Sequence, residues 1–395
     1  MSDASSSQVL IPVGPSEEEA ARRALDSGLY DHLPADTALL MRTSGSSSGV
    51  GKTVVISRDS LMASADATHA ALGGPGHWAC ALSTHHIAGL QTVFRAARAG
   101  TRAISAGRGT PEELAAAAEE MAGERAYLSL VPTQLRRLLD SPYTNQARAF
   151  AAILLGGAAA APELLRRSRE AGLHIVTTYG MTETCGGCVY NGVPIGDTQL
   201  SLGEHGQIAI TGSVVATGYL TAPPSETVRG CAEDRSAKDL SFEDRPAEEP
   251  STQDRAPQGF SRQLGILEPF DGSFITQDSG HWANNRLQIL GRLDAAITTG
   301  GLTVIPGIIE RELEKLGAGE CVVVGIPDEQ WGEIVVALTT NPLDNPAAEL
   351  RKRFEAGYVP KTVLSVRDLG LASLPYLESG KVDRVTAARL VLEKL

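Results

Sequence analysis

The 395-residue sequence has little that suggests a secreted or membrane-embedded protein. Its first residues, MSDASSSQVLIPVG, lack the basic segment and apolar core that mark a secretory signal. No uninterrupted apolar run is long enough to cross a bilayer. The five cysteines are an odd number and mostly dispersed, which suits a reducing compartment better than a disulfide framework. We therefore expect a soluble, cytoplasmic protein without membrane insertion.

Basic residues are also fewer than acidic residues. The chain has 35 Lys and Arg residues against 47 Asp and Glu residues, which gives a formal net charge of -12. The field of such a protein repels phosphate at long range and argues against general binding to nucleic acid or an anionic membrane. A local anion site remains open, because a few basic side chains and backbone N–H groups outweigh a distant field at contact range.

Short apolar runs alternate with helical patterns from about residue 37 to residue 180. This alternation predicts an α/β fold in which helices cover a parallel sheet. The predicted strands are 38–41, 78–82, 127–131, 151–155 and 174–178. The predicted helices are 110–121, where Thr110 and Glu113 can form a capping box, and 162–171, which Gly172 would end.

The region 221–262 breaks this pattern. It is rich in Pro, Ser, Asp, Glu and Arg and has almost no large apolar residue, so it cannot bury enough surface to offset its ordering entropy. We interpret it as a flexible acidic insertion, with a solvated active-site lid as the alternative. A smaller α/β unit follows residue 292, with predicted strands at 321–325 and 333–339 and helices at 306–316, 346–355 and 382–395.

The first chemical motif is TSGSSSGVGK, residues 43–52, directly after a predicted strand. Its glycines and hydroxyl groups allow the backbone to approach a polyphosphate, and its terminal lysine adds charge. A Walker A loop would need glycine at position 46, which is serine here. A serine–glycine linker is the other alternative, although the strand and the lysine speak against it. The candidate nucleotide-binding residues are Thr43, Ser44, Gly45, Ser46 and Lys52.

The second motif, YGMTET at residues 179–184, is far more specific. A strand that ends in tyrosine followed by a Thr-Glu pair offers three chemical groups. These are an aromatic face for adenine, a hydroxyl group for the α-phosphate and a carboxylate for Mg²⁺. A polar loop would supply one such residue by chance, but hardly the whole hexapeptide.

Together these motifs resemble the adenylate-forming superfamily of acyl-CoA synthetases, peptide-synthetase adenylation domains and luciferases. The phosphate loop departs from the family pattern by one extra residue and by Gly51 in place of proline. The resemblance implies that Tyr179 contacts adenine, Thr182 the α-phosphate and Glu183 the Mg²⁺ ion. It also implies that three residues after a preceding strand border the adenine, namely Gly156, Gly157 and Ala158.

Three further motifs follow in the family's order. FITQDSGHW is similar to the family's ribose-binding motif, where the carboxylate of Asp278 would accept hydrogen bonds from the ribose diol. GRLDAAITTGGLTVIPG resembles the hinge region, with Arg292 contacting the nucleotide and Asp294 at the hinge. The resemblance puts Gly300 and Gly301 beside the thiol of coenzyme A.

The last motif, LPYLESGKVDR, resembles the family's loop for the adenylation lysine, here Lys381. A lysine on a mobile loop can neutralise the charge that builds up when a carboxylate attacks the α-phosphate. The resemblance therefore implies a large, multi-layered N-terminal adenylation domain at 1–291. A small, mobile α+β lid domain would follow at 292–395, with its hinge near residue 294. ATP, Mg²⁺ and coenzyme A are the implied cofactor and co-substrates.

THHIAGLQTVFR, residues 84–95, points to the acid that is activated. It resembles a motif of the o-succinylbenzoate–CoA ligases of menaquinone biosynthesis, in which the arginine contacts the aromatic carboxylate. That assigns Arg95 to the carboxylate that does not react, and His86 to the acyl pocket near the carboxylate that does. A guanidinium partner suits a dianionic substrate. The alternative is that Arg95 is a surface charge like its neighbour Arg98.

Other interpretations remain open at this point. A P-loop NTPase would release ADP, and a regulatory nucleotide-binding protein would bind ATP without turnover. A ligase for another aryl or short-chain acid would share the mechanism. The pair Cys185 and Cys188 fits a zinc or redox C-x-x-C in form, but no second pair accompanies it. A homodimer is expected only from the size class.

Overall fold

A computed structural model describes residues 9–14, 17–26, 28–43, 52–221, 265–377 and 382–395. Within these ranges the helices are α1 Glu18–Asp26, α2 Arg58–Ala71, α3 Ile87–Ala99, α4 Pro111–Glu120, α5 Pro132–Leu139, α6 Pro162–Glu170, α7 Pro306–Lys315, α8 Pro346–Leu350 and α9 Arg384–Lys394. The strands are β1 Thr37–Arg42, β2 Thr53–Ser57, β3 His77–Cys80, β4 Ala103–Ser105, β5 Ala126–Leu130, β6 Ala152–Leu155, β7 Ile175–Met181, β8 Gly186–Tyr190, β9 Val193–Pro194, β10 Gln199–Leu202, β11 Gln207–Thr211, β12 Gly218–Thr221, β13 Ile266–Pro269, β14 Ser273–Ala283, β15 Arg286–Arg292, β16 Ile297–Thr299, β17 Leu302–Val304, β18 Cys321–Asp328, β19 Gly332–Thr339 and β20 Thr362–Ser365.

The largest sheet has seven strands in the order β4-β3-β5-β6-β7-β8-β9. Strands β4 to β7 pair in parallel, and β8 and β9 extend the sheet in antiparallel pairing. Helices α4, α5 and α6 pack on one face through a leucine-rich cluster. Helices α2 and α3 cover the other face, where Trp78 and Tyr127 are fully buried. The predicted α/β class is confirmed, with helices on both faces of a parallel sheet.

Local sequence signals explain how two of these helices begin and end. The Thr110 side chain accepts a hydrogen bond from the backbone of Glu113, whose carboxylate accepts one from the backbone of Thr110. This capping box satisfies N–H groups at the start of α4, as the sequence predicts. Gly172 follows α6 in the left-handed conformation at φ 74°, which stops the helix where predicted.

The predicted strand 38–41 exists as β1 but does not join the parallel sheet. It belongs to an antiparallel sheet of order β1-β2-β12-β13. The backbone N–H of Thr43 donates to the carbonyl of Lys52 at 2.8 Å, so the chain returns directly as a hairpin. Parallel pairing needs a longer crossover, which the ten residues 43–52 cannot supply. A third sheet, β10-β11-β14-β15, is also antiparallel.

The C-terminal unit is built on a five-stranded sheet of order β17-β16-β19-β18, with β20 beside β19. Helix α7 covers one face and α9 the other. Helix α8 ends at Leu350, earlier than the predicted 346–355, because the exposed residues 351–353 are basic and give the helix no apolar face to bury. The predicted boundary at 291/292 stays a prediction, and most of the predicted insertion lies outside the described residues.

The two units meet through charged and polar contacts. The Arg136 guanidinium on α5 forms an ion pair with Glu320 of the C-terminal unit at 2.8 Å. The Arg311 guanidinium on α7 donates to the carbonyl oxygen of Ile289 on β15. Within the described part of the chain, no helix combines the length and apolarity that crossing a membrane requires.

Candidate active site

The carboxyl ends of the parallel strands carry the predicted adenine-side residues. Gly156, Gly157 and Ala158 follow β6, and Tyr179 lies near the end of the neighbouring β7. A Cβ atom on Gly156 would lie 2.4 Å from the hydroxyl oxygen of Thr178, so only glycine allows the two strands to approach this closely. Ligands of open α/β sheets commonly bind outside the carboxyl ends of the strands, which is where these residues lie.

Asp278 connects this edge to the third sheet. The hydroxyl group of Tyr179 donates to Asp278 Oδ2 at 2.9 Å, although the two residues lie 99 positions apart. Asp278 pairs in register with Arg292 across β14 and β15, and their side chains approach to 3.9 Å. Burial, together with the Asp278 charge, raises the pKa of Tyr179, so its hydroxyl remains a donor. The structure thus brings three predicted nucleotide-binding residues together.

Arg292 is held mainly by Asp294. The guanidinium donates from Nε to Oδ1 at 2.7 Å and from Nη2 to Oδ2 at 2.6 Å. This paired hydrogen bond is the first cause of the raised pKa of Arg292, and the charges of Asp294 and Asp278 add to it. The predicted nucleotide contact and the predicted hinge residue therefore form one bidentate unit.

Glu183 and Lys52 converge on Tyr219. Thr182 and Glu183 belong to a single 3-10 turn after β7, and Glu183 is 8% exposed. The Tyr219 hydroxyl donates to Glu183 Oε1 at 2.6 Å. The Lys52 ammonium lies 4.3 Å from the centroid of the same ring. The sequence motifs at residues 43–52 and 179–184 thus meet through a residue that belongs to neither.

The described ends of the phosphate loop lie on a hairpin. Thr43 Oγ1 accepts a hydrogen bond from the backbone of Lys52 at 3.0 Å, while Ser44, Gly45 and Ser46 lie outside the described residues. Strand β2 starts right after Lys52, and α2 begins only at Arg58. A Walker A lysine is followed directly by a helix, so the topology argues against that alternative as the spacing does.

Arg95 lies inside the protein, between α3 and the sheet. It is 3% exposed, and its guanidinium carbon lies 5.0 Å from the centroid of the Trp78 ring. Its Nε has no hydrogen-bond partner, and no carboxylate among the described residues forms an ion pair with it. Burial lowers the pKa of Arg95. The alternative that Arg95 is a surface charge is therefore wrong, whereas Arg98 is exposed and pairs with Asp66 at 3.0 Å.

His86 marks the start of α3, where it occupies the N-cap position without a side-chain cap bond. Its ring lies 4.4 Å from that of His85. Nine residues separate His86 from Arg95, which corresponds to a rise of about 13 Å along a helix. The two predicted acyl-pocket residues therefore lie more than two helical turns apart on α3.

Of the residues predicted to act in the C-terminal unit, the structure describes Gly300 and Gly301 but not Lys381. Gly300 and Gly301 form the turn between β16 and β17, with φ angles of 55° and 82°. Both positive angles are typical of a tight hairpin turn, and a Cβ on Gly300 would meet the ring of Trp331 at 2.7 Å. Lys381 lies outside the described residues.

The two cysteines of the C-x-x-C pair are fully buried. Burial raises the pKa of both thiols, that of Cys188 to about 12. They therefore stay protonated near neutral pH, whereas metal binding and disulfide exchange require the thiolate. Among the described residues, no group of three or more His, Cys, Asp or Glu side chains is arranged to hold a metal ion.

Sequence reasoning missed three side chains of this region. Tyr219 contacts Lys52 and Glu183, and Trp78 stacks on Arg95. Gln91 lies one helical turn before Arg95, is fully buried and donates to the carbonyl of Cys185 at 2.7 Å. Helical spacing from Arg95 could have found Gln91. No spacing rule links the other two to their partners.

Comparisons with known proteins agree with this architecture. The AMP-binding enzyme family matches residues 5–220 of the chain. A probable 2-succinylbenzoate–CoA ligase of Mycobacterium tuberculosis strain H37Rv is 34% identical over 384 residues, which cover 95% of this chain and 89% of the relative. The 2-succinylbenzoate–CoA ligase of Enterococcus faecalis is 28% identical over 88% of this chain and 68% of its own.

Solved structures show the same fold. The o-succinylbenzoate CoA synthetase (MenE) from Bacillus subtilis in complex with the acyl-adenylate intermediate OSB-AMP matches with a TM-score of 0.64 and 24% identity, over 90% of this chain and 70% of that one. ATP-bound MatB from Rhodopseudomonas palustris matches with a TM-score of 0.67 and 23% identity, over 91% and 69% of the two chains. The family match over more than half of the chain, together with the relative in Mycobacterium, establishes that this protein belongs to the AMP-binding enzyme family.

Proposed function

We propose that this protein is an ATP-dependent 2-succinylbenzoate–CoA ligase. It activates the succinyl carboxylate as an acyl-AMP and then transfers the acyl group to coenzyme A, an AMP-forming acid–thiol ligation in menaquinone biosynthesis. The observation that carries the substrate assignment is Arg95. A buried guanidinium that lacks a carboxylate partner among the described residues is costly to the folded protein.

A dianionic substrate accounts for that cost. Succinylbenzoate has one carboxylate that reacts and one on the aromatic ring that does not. The second carboxylate needs a cation that is shielded from water, and the planar fork of an arginine suits it. Helix α3 and the fully buried ring of Trp78 hold the Arg95 guanidinium in place before the substrate arrives. Such pre-organisation lowers the entropic cost of binding.

The nucleotide side is supported by the connected contacts around Asp278. Tyr179 would pack against adenine, and Asp278 would accept hydrogen bonds from the ribose hydroxyls. Arg292, which also lies beside Asp278, would contact the nucleotide. Gly156, Gly157 and Ala158 lie beside Tyr179 at the carboxyl ends of the strands. These assignments follow the family resemblance and stay proposals.

The residues on the phosphate side fit a magnesium ion. Mg²⁺ is usually held by one or two carboxylates together with substrate phosphates, and Glu183 supplies one such carboxylate. When bound, the ion would neutralise charge on the phosphate oxygens. Lys52, at the end of the phosphate loop, would bind the β- and γ-phosphates, and Thr182 would donate its hydroxyl to the α-phosphate. Lys52 contacts the ring of Tyr219, and Thr182 directly precedes Glu183, which accepts a hydrogen bond from the Tyr219 hydroxyl.

In the first step, the succinyl carboxylate attacks the α-phosphorus and pyrophosphate leaves. We assign Lys381 to the stabilisation of charge in this step, and His86 to the acyl pocket near the reacting carboxylate. In the second step, the thiol of coenzyme A attacks the acyl-AMP carbonyl and AMP leaves. A turn of the C-terminal unit about Asp294 would bring Gly300 and Gly301 to the thiol side.

The test is a mass-spectrometric product assay with ATP, Mg²⁺, coenzyme A and a panel of carboxylic acids. We expect AMP, pyrophosphate and succinylbenzoyl-CoA, with 2-succinylbenzoate the preferred acid of the panel. AMP with a different preferred thioester would keep the mechanism and overturn the substrate. ADP would exclude the adenylation mechanism altogether. A cytoplasmic location, where ATP and coenzyme A are supplied, and a homodimer both stay predictions.

A further inference from the structure

Tyr219 on β12 touches two parts of the phosphate side at once. Its hydroxyl group donates to Glu183 Oε1 at 2.6 Å, while the face of its ring lies 4.3 Å from the Lys52 ammonium. The carboxylate approaches the polar end of the side chain and the ammonium approaches its π-system. One aromatic residue therefore contacts both a candidate ligand of the metal and a candidate ligand of the phosphates.

The protein itself fixes the position of this ring. Tyr219 pairs in register with Val54, two residues after Lys52, in the antiparallel sheet. Phe270 contacts the ring edge-on, at 4.8 Å between centroids and an angle of 90°. Phe274 lies at 6.3 Å with an angle of 81°. Aromatic edge-to-face packing holds the ring in one orientation.

We propose that Tyr219 is a positioning residue that couples Lys52 of the phosphate loop to the carboxylate of Glu183. This inference rests on the proposed function, because it takes Glu183 as the magnesium ligand and Lys52 as the phosphate ligand. The hydroxyl engages Oε1 of the carboxylate, so Oε2 would be the oxygen left to hold the cation. The ring face supports the ammonium group through a cation–π interaction.

The hydrogen bond between the Tyr219 hydroxyl and Glu183 Oε1 fixes one oxygen of the carboxylate at 2.6 Å. Hydrogen-bond partners that orient a metal-binding carboxylate usually contribute ten- to a hundredfold to metal affinity.

Two substitutions separate the two contacts. Tyr219→Phe keeps the ring under Lys52 but removes the hydrogen bond to Glu183, whereas Tyr219→Leu removes both. We would measure the dissociation constant of ATP by isothermal titration calorimetry, once with Mg²⁺ and once with a chelator. For Tyr219→Phe we expect unchanged affinity for metal-free ATP and a roughly tenfold loss of the affinity that Mg²⁺ adds.

For Tyr219→Leu we expect the same loss with Mg²⁺ and, in addition, a metal-free dissociation constant raised about threefold by the lost cation–π contact. Tyr358→Phe is the matched control, because its hydroxyl donates to the carbonyl of Thr303 in the C-terminal unit. It should leave both dissociation constants unchanged. If Tyr219→Phe keeps the melting temperature of the wild type but loses both affinities equally, the hydroxyl does not act through the metal and the proposal is overturned. If its melting temperature falls, it is compared with Tyr219→Leu and the wild type at a temperature where all are folded.

The readout also separates this proposal from the proposed function. If the wild-type protein forms acyl-AMP but Tyr219→Phe gains as much affinity from Mg²⁺ as the wild type does, the positioning role is wrong and the function stands. If Tyr219→Phe loses the Mg²⁺-dependent affinity while the wild type forms no acyl-AMP with any acid, the positioning role stands and the function is wrong.

Discussion

Arg95 and Arg292 carry the same guanidinium group in opposite surroundings. Arg292, at the edge of β15, is partly exposed and forms two hydrogen bonds with Asp294. Arg95, between α3 and the parallel sheet, is buried and lacks a carboxylate partner among the described residues. The pKa of Arg292 is raised by its hydrogen bonds to Asp294, whereas burial lowers the pKa of Arg95. The protein thus neutralises the charge of Arg292 with its own carboxylates but supplies none to Arg95 among the described residues.

This difference suggests where a ligand completes the protein. At the proposed nucleotide edge, Asp278 and Asp294 supply counter-charges to Arg292. At the proposed acyl pocket, the described residues supply only a cation, and under the proposed function the substrate would supply the counter-charge. An unpaired charge in the interior lowers stability, and such a cost is commonly retained at functional sites.

Replacing Arg95 with methionine should have the largest effect. Methionine fills a similar volume without charge, so we expect kcat/KM for 2-succinylbenzoate to fall by on the order of a hundredfold or more. The same change should raise the melting temperature of the ligand-free protein, because it removes an unpaired buried charge. Steady-state kinetics and calorimetry measure both effects. A drop in melting temperature together with activity would mean that the guanidinium is structural.

Asp278→Asn should have the next largest effect, and on the other region. The amide would still accept one hydrogen bond from Tyr179 but would no longer offer a charged acceptor to the ribose diol. We expect KM for ATP to rise roughly tenfold, since a hydrogen bond to a charged group contributes about 1.5–3 kcal/mol. KM for 2-succinylbenzoate should stay unchanged. Equal increases in both constants would contradict the separation of the two regions.

Glu314 is a partly buried charged residue for which we expect no role in ligand binding. Burial raises its pKa to about 7, with the charges of Glu310 and Glu320 adding to burial and those of Arg311 and Arg136 opposing it. Here the neighbouring charges belong to the protein, so we expect an effect on stability and none on substrate affinity. Because the folded state holds this proton more tightly than the unfolded chain, the free energy of unfolding should fall as pH rises from about 4.5 to 7.

Glu314→Gln should remove that part of the pH dependence. Its melting temperature should match that of the wild type near pH 4, below the unfolded pKa, and exceed it above about pH 7. Calorimetric scans of both proteins across this range measure the difference. If the two melting curves run in parallel throughout, the raised pKa of Glu314 is wrong.

Arg98→Ala should have the smallest effect and serves as the control for Arg95. Arg98 lies three residues later on the same helix, exposed to solvent and paired with Asp66. Exposed ion pairs contribute little to stability. We expect unchanged kinetic constants and a melting temperature within experimental error of the wild type. A loss of 2-succinylbenzoate affinity here would show that α3 tolerates no charge change, and the Arg95 result would lose its meaning.

The sequence predicts best what is encoded locally. The parallel strands, the capping box of α4 and the YGMTET motif each occupy a few consecutive residues, and each appears in the structure where expected. The pairing of Tyr179 with Asp278 is also understandable in hindsight, since each belonged to a recognised motif. Local signals therefore predicted the fold class, and they identified residues that the structure brings together at one edge of the sheet.

Contacts between distant segments could not be read from the sequence. Tyr219 lies 36 positions after Glu183, and a lone tyrosine in a short strand has no pattern that names its partners. The sequence also left open whether Arg95 was buried, because a helix with two arginines one turn apart does not show which one faces the sheet. The antiparallel pairing of β1 with β2 could not be predicted either, because four apolar residues do not specify which strand they pair with.

The central claim is that Arg95 binds the substrate carboxylate that does not react. The most direct measurement compares wild type and Arg95→Met on two acids, 2-succinylbenzoate and its analogue without the ring carboxylate, 4-oxo-4-phenylbutanoate. We predict that the wild type strongly prefers 2-succinylbenzoate in kcat/KM and that Arg95→Met loses this preference while it still converts the analogue. If Arg95→Met prefers 2-succinylbenzoate as strongly as the wild type does, Arg95 does not bind that carboxylate and the account is wrong.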